Sequence, residues 1–351
     1  MARPIRVALL GYGLAGAVFH APLIDAVDGL ELAAVVTRDE ERRARAAREH
    51  PDAMLLDSAD EIWARADDID LVVVAAPNRF HVPLAHAGVE AGLGVVVDKP
   101  LAVSAAEARP LVSEARRRCG LLTVFQNRRW DGDFLTVQRL VEAGGLGAVT
   151  RFESRFERWR PQLAGTWRES GDPADAGGVL YDLGSHLVDQ ALQLFGPAAH
   201  VYAELDVRRP GARADDDVFV ALTHESGVRS HLWASAVAAQ PGPRFRVLGG
   251  AGAFTKFGVD VQENALRTGG DPRDPSWGRE PERSWGELAT GEAVRRIETV
   301  PGAYQRFYER VVRALCEGAP PPVDPDDAVA GLAVLDAARL ASRERRVVVI
   351  S

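Results

Sequence analysis

The sequence predicts an α/β protein, with a doubly wound parallel sheet in its N-terminal part and a large, mostly antiparallel sheet in its C-terminal part. The first observation behind this is local. The apolar run Val7-Ala8-Leu9-Leu10 enters Gly11-Tyr12-Gly13-Leu14-Ala15-Gly16, and Ala17, Val18, Phe19, Leu23 and Ile24 then continue at helical spacing. The second is a change of rhythm: short apolar strands alternate with helical segments up to about residue 125, whereas strands with period-two alternation dominate later. The third is length. At 351 residues the chain exceeds what one core usually holds, so two domains are expected, 1–125 and 126–351.

Composition narrows the class. With 46% apolar and 26% charged residues the chain reads as a globular protein. A net charge of −8 offers no clustered surplus of cations for nucleic acid or an anionic membrane. No apolar run reaches the ~18 residues that span a bilayer, and residues 1–10 lack the pattern of a secretory leader, so a cytoplasmic location is expected. Cys119 and Cys316 are too few for a disulfide framework and have no zinc-type companions. Of the 42 basic residues only Lys99 and Lys256 are lysines, so each is a candidate for a role that a guanidinium cannot fill, such as releasing a proton.

The glycine turn has a physical reading. Gly11 lets the chain leave the strand tightly, Gly13 opens space for backbone amides to approach a pyrophosphate, and Gly16 allows helix and strand to pack closely. Together with Leu14 and Ala15, these residues place a helix N-terminus toward the phosphates. A second strand, Leu30 to Thr37, ends where an acidic residue would hold the ribose 2′-hydroxyl of NAD; this chain has Thr37 and Arg38, which suit a 2′-phosphate and favour NADP over NAD. Asp39 and Glu40 follow, either as first-turn residues of the next helix or as competitors for a ribose hydroxyl.

Helix 59–66, strand Leu71 to Ala76, helix Val82 to Ala91, strand Gly94 to Val97, helix Ser104 to Arg118 and strand Leu121 to Phe125 complete the doubly wound unit. Two strand ends stand out, because ligands of open α/β sheets sit at the carboxyl edge. One is Ala76-Pro77-Asn78 with His81; the other is Asp98-Lys99-Pro100. Further on, strands at 150–158, 200–208, 216–224, 228–237, 244–249 and 252–257 predict an antiparallel meander with one face buried on helices and another able to pair with a second subunit. Residues 268–290, rich in Gly and Pro around Trp277 and Trp285, read as a long loop serving as lid, interface or packing. Helices at 302–317 and 326–343 and a short strand Val347 to Ile350 end the chain.

The chemistry centres on Gly177-Gly178 through Tyr181-Asp182 to His186. Asp182 and His186 are four apart on a helix otherwise apolar on most sides, with Asp189 and Gln193 on the same stripe. A first-turn Asp and a satisfied core histidine is the ordinary reading of such a pair. Here it accompanies a nucleotide-binding pattern and a singular lysine. Oxidising a secondary alcohol leaves a proton to remove, so a base near neutrality and a cation for the alkoxide are needed. His186 suits the base, Lys99 the cation, and Asp182 can orient His186 or a substrate hydroxyl. The other histidines are scattered, so no metal site is expected.

These residues resemble the Gfo/Idh/MocA oxidoreductases over essentially the whole chain. The strings Gly11 to Ile24, Asn127-Arg128-Arg129-Trp130-Asp131 and Tyr181 to His186 are most similar to the NADP-dependent scyllo-inositol dehydrogenase branch. The resemblance implies a Rossmann domain, a C-terminal α/β domain whose open sheet mediates dimers or tetramers, and a catalytic trio at Lys99, Asp182 and His186. Asp98 departs from the glutamate usual in the family before Lys-Pro. The expected cofactor-binding set is Gly11, Gly13, Leu14, Ala15, Gly16, Thr37, Arg38, Ala76, Pro77, Asn78, His81, Asp98 and Lys99. Asn127, Arg160, Trp167 and Arg168 are nominated for the substrate, a cyclitol or sugar. A reductase of a sugar aldehyde, ketone or imine, or a non-catalytic dinucleotide-binding regulator, are the alternatives.

Overall fold

Strands β1 (Ile5–Leu10), β2 (Leu30–Val36), β3 (Met54–Leu56), β4 (Leu71–Val74), β5 (Gly94–Asp98) and β6 (Leu122–Phe125) form a six-stranded sheet in the computed structural model, which describes residues 3–350. Its order is β3-β2-β1-β4-β5-β6 and every pair is parallel. Such a sheet is covered on both faces, which is why β4 and β5 read as unbroken valine-rich runs whose valines are completely buried. The order reverses between β1 and β4, and a switch point of this kind opens a crevice at the carboxyl edge.

Local signals set the helix boundaries. Asp39 caps helix Glu40–Glu49 by accepting the Arg42 amide, and Ser104 caps helix Ala105–Arg117 by accepting that of Glu107, whose carboxylate reaches back to the Val103 amide.

The chain divides into two compact units. The first holds the residues up to Asn127 together with Gln262–Trp277 and Ala303–Val329; the second holds Arg128–Val261, Gly278–Gly302 and the residues from Ala330 on. Helix Gln305–Glu317 belongs to the first because its apolar side carries Phe307, Tyr308 and Val311, all buried. The Phe307 ring meets Phe125 at 4.9 Å, and the Tyr308 hydroxyl lies 2.7 Å from Nδ1 of the buried His20. Of the three roles open to Trp277, lid, interface or packing, it takes the last: it is buried and donates its indole N–H to Gln262.

In the second unit, β7 (Val149–Glu157), β8 (Ala198–Asp206), β9 (Asp217–His224), β10 (Arg229–Ser235), β11 (Phe245–Gly249), β12 (Ala253–Lys256), β13 (Gly286–Thr290), β14 (Ala293–Ile297) and β15 (Val348–Val349) form a nine-stranded sheet. The order is β14-β13-β12-β11-β7-β10-β9-β8-β15. Two expectations are corrected. The sheet is not a pure meander, because β7 lies between β11 and β10 and runs parallel to β10. The loop expected at 268–290 ends in strand β13, which pairs with β14 across a turn at Gly291. The density of Gly and Pro before it masks that hairpin in the sequence. Helix Ser185–Phe195 packs on β7 and β10, with Phe152 and Phe195 rings 5.4 Å apart. Phe219, His231 and Trp233 cluster as half-buried rings on the other face. No helix among the described residues is long and apolar enough to cross a membrane.

Candidate active site

The three glycines after β1 play different parts. Gly11 has φ +104°, and a Cβ there would sit 2.6 Å from the Ala75 carbonyl oxygen; at Gly16 it would sit 2.0 Å from the Gly11 carbonyl oxygen. Neither position tolerates a side chain. At Gly13 a Cβ would meet only the Arg42 guanidinium, at 3.6 Å. The chain therefore presses together on either side of a gap over Gly13. Beyond it a π-wound turn, Ala15–His20, runs straight into helix Ala21–Asp25, closed by the Ala17 amide on the Gly13 carbonyl at 2.9 Å. Leu14 is partly exposed beside the gap, with Ala15 next to it. An open backbone facing a helix start is a fit for a pyrophosphate.

At the end of β2, Thr37 is buried and its amide donates to the Leu56 carbonyl; Arg38 is exposed and donates to the Asp57 carbonyl at 2.9 Å. The alternatives for Asp39 and Glu40 resolve in favour of the helix. The exposed Asp39 side chain caps the helix through one carboxylate oxygen, and Glu40 opens the helix. Arg42 is absent from the residues expected at the cofactor. It is one of five arginines between 38 and 48, and only folding brings this one beside Gly13.

Asn78 is buried in the turn after β4. The buried ring of His81 spans two loops, with Nε2 2.8 Å from the Ala76 carbonyl oxygen and Nδ1 2.7 Å from that of Pro100. Both nitrogens are engaged inside the protein, so His81 ties the Ala76-Pro77-Asn78 loop to the Lys99-Pro100 loop. Asp98, the last residue of β5, accepts the Lys99 amide at 2.8 Å and pairs laterally with Phe125 on β6. Lys99 is half-buried at this strand end. The chain's other lysine, Lys256, is structural. It is buried, with its ammonium on Glu280 at 3.2 Å and on the Phe257 carbonyl. The His20 ring packs 4.4 Å from Phe125. Burial pushes that imidazole down to about 4, with Asp98 opposing and His81 adding to the shift.

In the second unit Gly178 has φ +98°, and a Cβ there would strike the Asp215 carboxylate at 2.4 Å. Asp215 holds this turn from two sides, accepting the Leu180 amide on its carboxylate at 2.7 Å and the Val179 amide on its carbonyl at 2.9 Å. Burial raises the Asp215 carboxyl to about 6. The turn Leu180–Gly184 is π-wound and presents Asp182, one-third exposed, with Arg168 Nε 3.7 Å from its carboxylate. Asp182, Arg160 and Arg168 line one cavity of about 190 Å³. Trp167 stacks beneath the Arg168 guanidinium at 4.7 Å.

His186 follows in the first turn of helix Ser185–Phe195, buried, its ring 6.4 Å from Phe156. Two residues on that helix are engaged internally: Asp189 takes a two-pronged contact from Arg129 at 2.9 and 2.6 Å, and Gln190 donates to the Arg128 carbonyl and accepts from Arg244. Asn127 is buried at the start of the turn Asn127–Trp130. Among the described residues no group of three or more His, Cys, Asp or Glu is arranged to hold a metal ion.

Residues 5–126 match the oxidoreductase family NAD-binding Rossmann fold, and residues 138–350 the C-terminal alpha/beta domain of the same oxidoreductase family. The chain is 35% identical over 350 residues to the scyllo-inositol 2-dehydrogenase (NADP(+)) IolW of Bacillus subtilis, covering 99% of this chain and 96% of that one. It is 39% identical over 333 residues to the uncharacterized oxidoreductase YdgJ of Escherichia coli, covering 94% of each. The solved structure of yvaA from Bacillus subtilis superposes with a TM-score of 0.94 at 34% identity, covering 100% of this chain and 99% of the other.

Proposed function

Since the chain belongs to the Gfo/Idh/MocA oxidoreductase family, we propose that it is an NADP-dependent dehydrogenase of a secondary alcohol on a cyclitol or sugar, of the scyllo-inositol type. The observation that carries this reading is the open gap over Gly13 with the Arg42 guanidinium at its rim and Arg38 nearby in sequence. A cationic border suits a cofactor with an extra phosphate, and one oxygen of Asp39, the residue placed to compete for a ribose hydroxyl, is taken up by its own helix. The Bacillus subtilis relative is named for NADP(+) and scyllo-inositol, which supports the same choice.

Gly11, Gly13, Leu14, Ala15 and Gly16 would receive the pyrophosphate, Thr37, Arg38 and Arg42 the 2′-phosphate, and the loops at Ala76-Pro77-Asn78 and Asp98-Lys99 the nicotinamide end. The nicotinamide, when bound, takes up or returns the hydride. His186 takes the proton from the alcohol oxygen and the Lys99 ammonium stabilises the negative charge that develops there. Asp182 orients a substrate hydroxyl, with Asn127, Arg160, Trp167 and Arg168 completing substrate contacts. Residues 1–125 serve the cofactor and 126–351 the substrate. The aromatic face around Phe219 and Trp233 supports pairing of the large sheet with a second copy, which sizing in solution would report as a dimer or tetramer.

Replacing Lys99 with Met or His186 with Ala should lower kcat on an accepted polyol by about 10²–10⁴-fold, the usual scale for losing a positioned acid or base. NADP affinity, measured by fluorescence titration, should change only a few-fold. Full turnover in both variants refutes the assignment.

A further inference from the structure

We propose that Tyr12 is a positioning residue for cofactor selection: its hydroxyl, set on the Glu49 carboxylate, fixes helix Glu40–Glu49 against the glycine turn and so holds Arg42 where a 2′-phosphate would lie. This inference rests on the NADP reading and names the residue that aligns the arginine in it.

The helix needs such a tie. Its sequence, Glu-Glu-Arg-Arg-Ala-Arg-Ala-Ala-Arg-Glu, has no apolar side chain larger than a methyl group, and Ala46 is its one buried residue. Burial of so little apolar surface fixes neither the angle nor the height of a helix on its neighbours. Polar contacts must do it instead. On one side Arg43 donates to the Asp57 carboxylate at 2.6 Å and to the Leu55 carbonyl at 2.9 Å, which moors the helix to β3 and the turn after it. On the side of the glycine turn, Arg42, Arg45, Ala46 and Glu49 follow at the spacing i, i+3, i+4 and i+7 and so share one helix face.

Two neighbouring residues of the glycine turn meet that face two helical turns apart. A Cβ on Gly13 would lie 3.6 Å from the Arg42 guanidinium, while Tyr12, only 1% exposed, donates its hydroxyl to Glu49 at 2.7 Å. Seven residues of helix rise about 10 Å, so the helix is gripped at two separated points and cannot swing about either. The other Glu49 oxygen accepts from Arg45 Nε at 2.8 Å. Burial disfavours the Glu49 charge, but the bonds from Arg45 and Tyr12 outweigh it and keep this carboxyl below its ordinary range. Burial and the same carboxylate raise the Tyr12 phenol, which stays protonated as the donor. A carboxylate in the last turn of a helix works against the helix dipole, so the place of Glu49 is explained by what it holds. The His50 ring stands edge-on to Tyr12 at 5.8 Å, and its Nδ1 lies 3.2 Å from Asp25, the last residue of helix Ala21–Asp25.

The experiment compares Tyr12→Phe, Glu49→Ala and Glu49→Gln with the parent. Tyr12→Phe keeps the buried ring and loses only the hydroxyl. Fluorescence titration should show NADP bound ~10-fold more weakly by Tyr12→Phe, the scale of one hydrogen bond to a charged group, with NAD affinity changed less than ~2-fold. Glu49→Ala should act alike. Glu49→Gln still offers an oxygen to the phenol and should keep most of the NADP preference, and the Tyr12→Phe/Glu49→Ala pair should weaken NADP no more than either change alone. In the cofactor-free protein, amide hydrogen exchange over residues 42–49 should quicken ~10-fold in Tyr12→Phe. Equal weakening of both dinucleotides, or of neither, overturns the inference and leaves the NADP reading standing. A parent that binds NAD as tightly as NADP overturns the NADP reading instead. Exchange then decides the tie, which stands if Tyr12→Phe quickens it and falls if parent and variant exchange alike.

Discussion

The Asp39 carboxylate accepts the backbone N–H of Arg42 at 2.9 Å, and the Arg42 guanidinium reaches the open side of Gly13. One residue fixes the start of a helix, and the other extends from that helix toward the glycine turn. The second oxygen of the same carboxylate lies 4.0 Å from Arg42 Nε, so one acidic residue holds both the backbone and the side chain of the arginine that reaches the glycine turn.

Cofactor preference should follow from that arrangement. Replacing Arg38 and Arg42 together with alanine should lower the NADP-to-NAD ratio of kcat/KM by ~10–100-fold, as expected for losing charge-assisted contacts to a phosphate. Asp39→Ala should instead lower folding stability by ~1 kcal/mol, the value of a helix cap, read from the urea midpoint. An unchanged ratio in the double variant would place the 2′-phosphate elsewhere.

The glycines should separate into folding and binding positions. Gly16→Ala forces a Cβ onto the Gly11 carbonyl oxygen and should cost at least ~3 kcal/mol, seen as a large drop in Tm. Gly13→Ala meets nothing nearer than 3.6 Å, so its Tm should stay close to that of the parent. Its affinity for nicotinamide dinucleotides should fall ~10-fold or more, because the methyl group fills the gap through which the backbone approaches a pyrophosphate. Equal effects on Tm at both positions would contradict the geometry.

Two buried groups should give opposite pH slopes. His20 titrates near 4 in the folded protein, so its contribution is present above the ordinary imidazole value and is lost as pH falls from about 6.5 to 4, worth up to ~3 kcal/mol. Asp215 titrates near 6, so its contribution is present below about 4 and is lost as pH rises to about 6, again up to ~3 kcal/mol. The two slopes offset each other in the parent. Relative to it, His20→Gln should gain stability on acidification across this window and Asp215→Asn should lose it. Urea unfolding at several pH values between 4 and 7 reads both, and parallel curves for all three proteins would show that neither group is shifted.

Much of the fold is legible in the sequence because its signals are local. The valine runs of β4 and β5 and the residues at 11, 13 and 16 act within a few positions of themselves, through period, backbone freedom and side-chain size. Lys99 stands out by composition and by its place at a strand end, and it does lie at the end of β5. The same compositional argument marks Lys256, and nothing local distinguishes the two; the buried partner Glu280, 24 residues away, identifies the second as structural.

What the tertiary structure decided depends on contacts between distant segments. The parallel pairing of β7 with β10, the return of helix Gln305–Glu317 to the first unit, and the selection of Arg42 from five neighbouring arginines all fall in this class. So does the charge inventory around Asp182. Arg209 pairs with both Asp216 and Glu169, Asp215 is turned onto a backbone amide, and Arg168 Nε lies 3.7 Å from the Asp182 carboxylate. A sequence specifies which charges a chain owns. Which of them cancel depends on which are brought within a few ångströms, and only the folded backbone sets those distances.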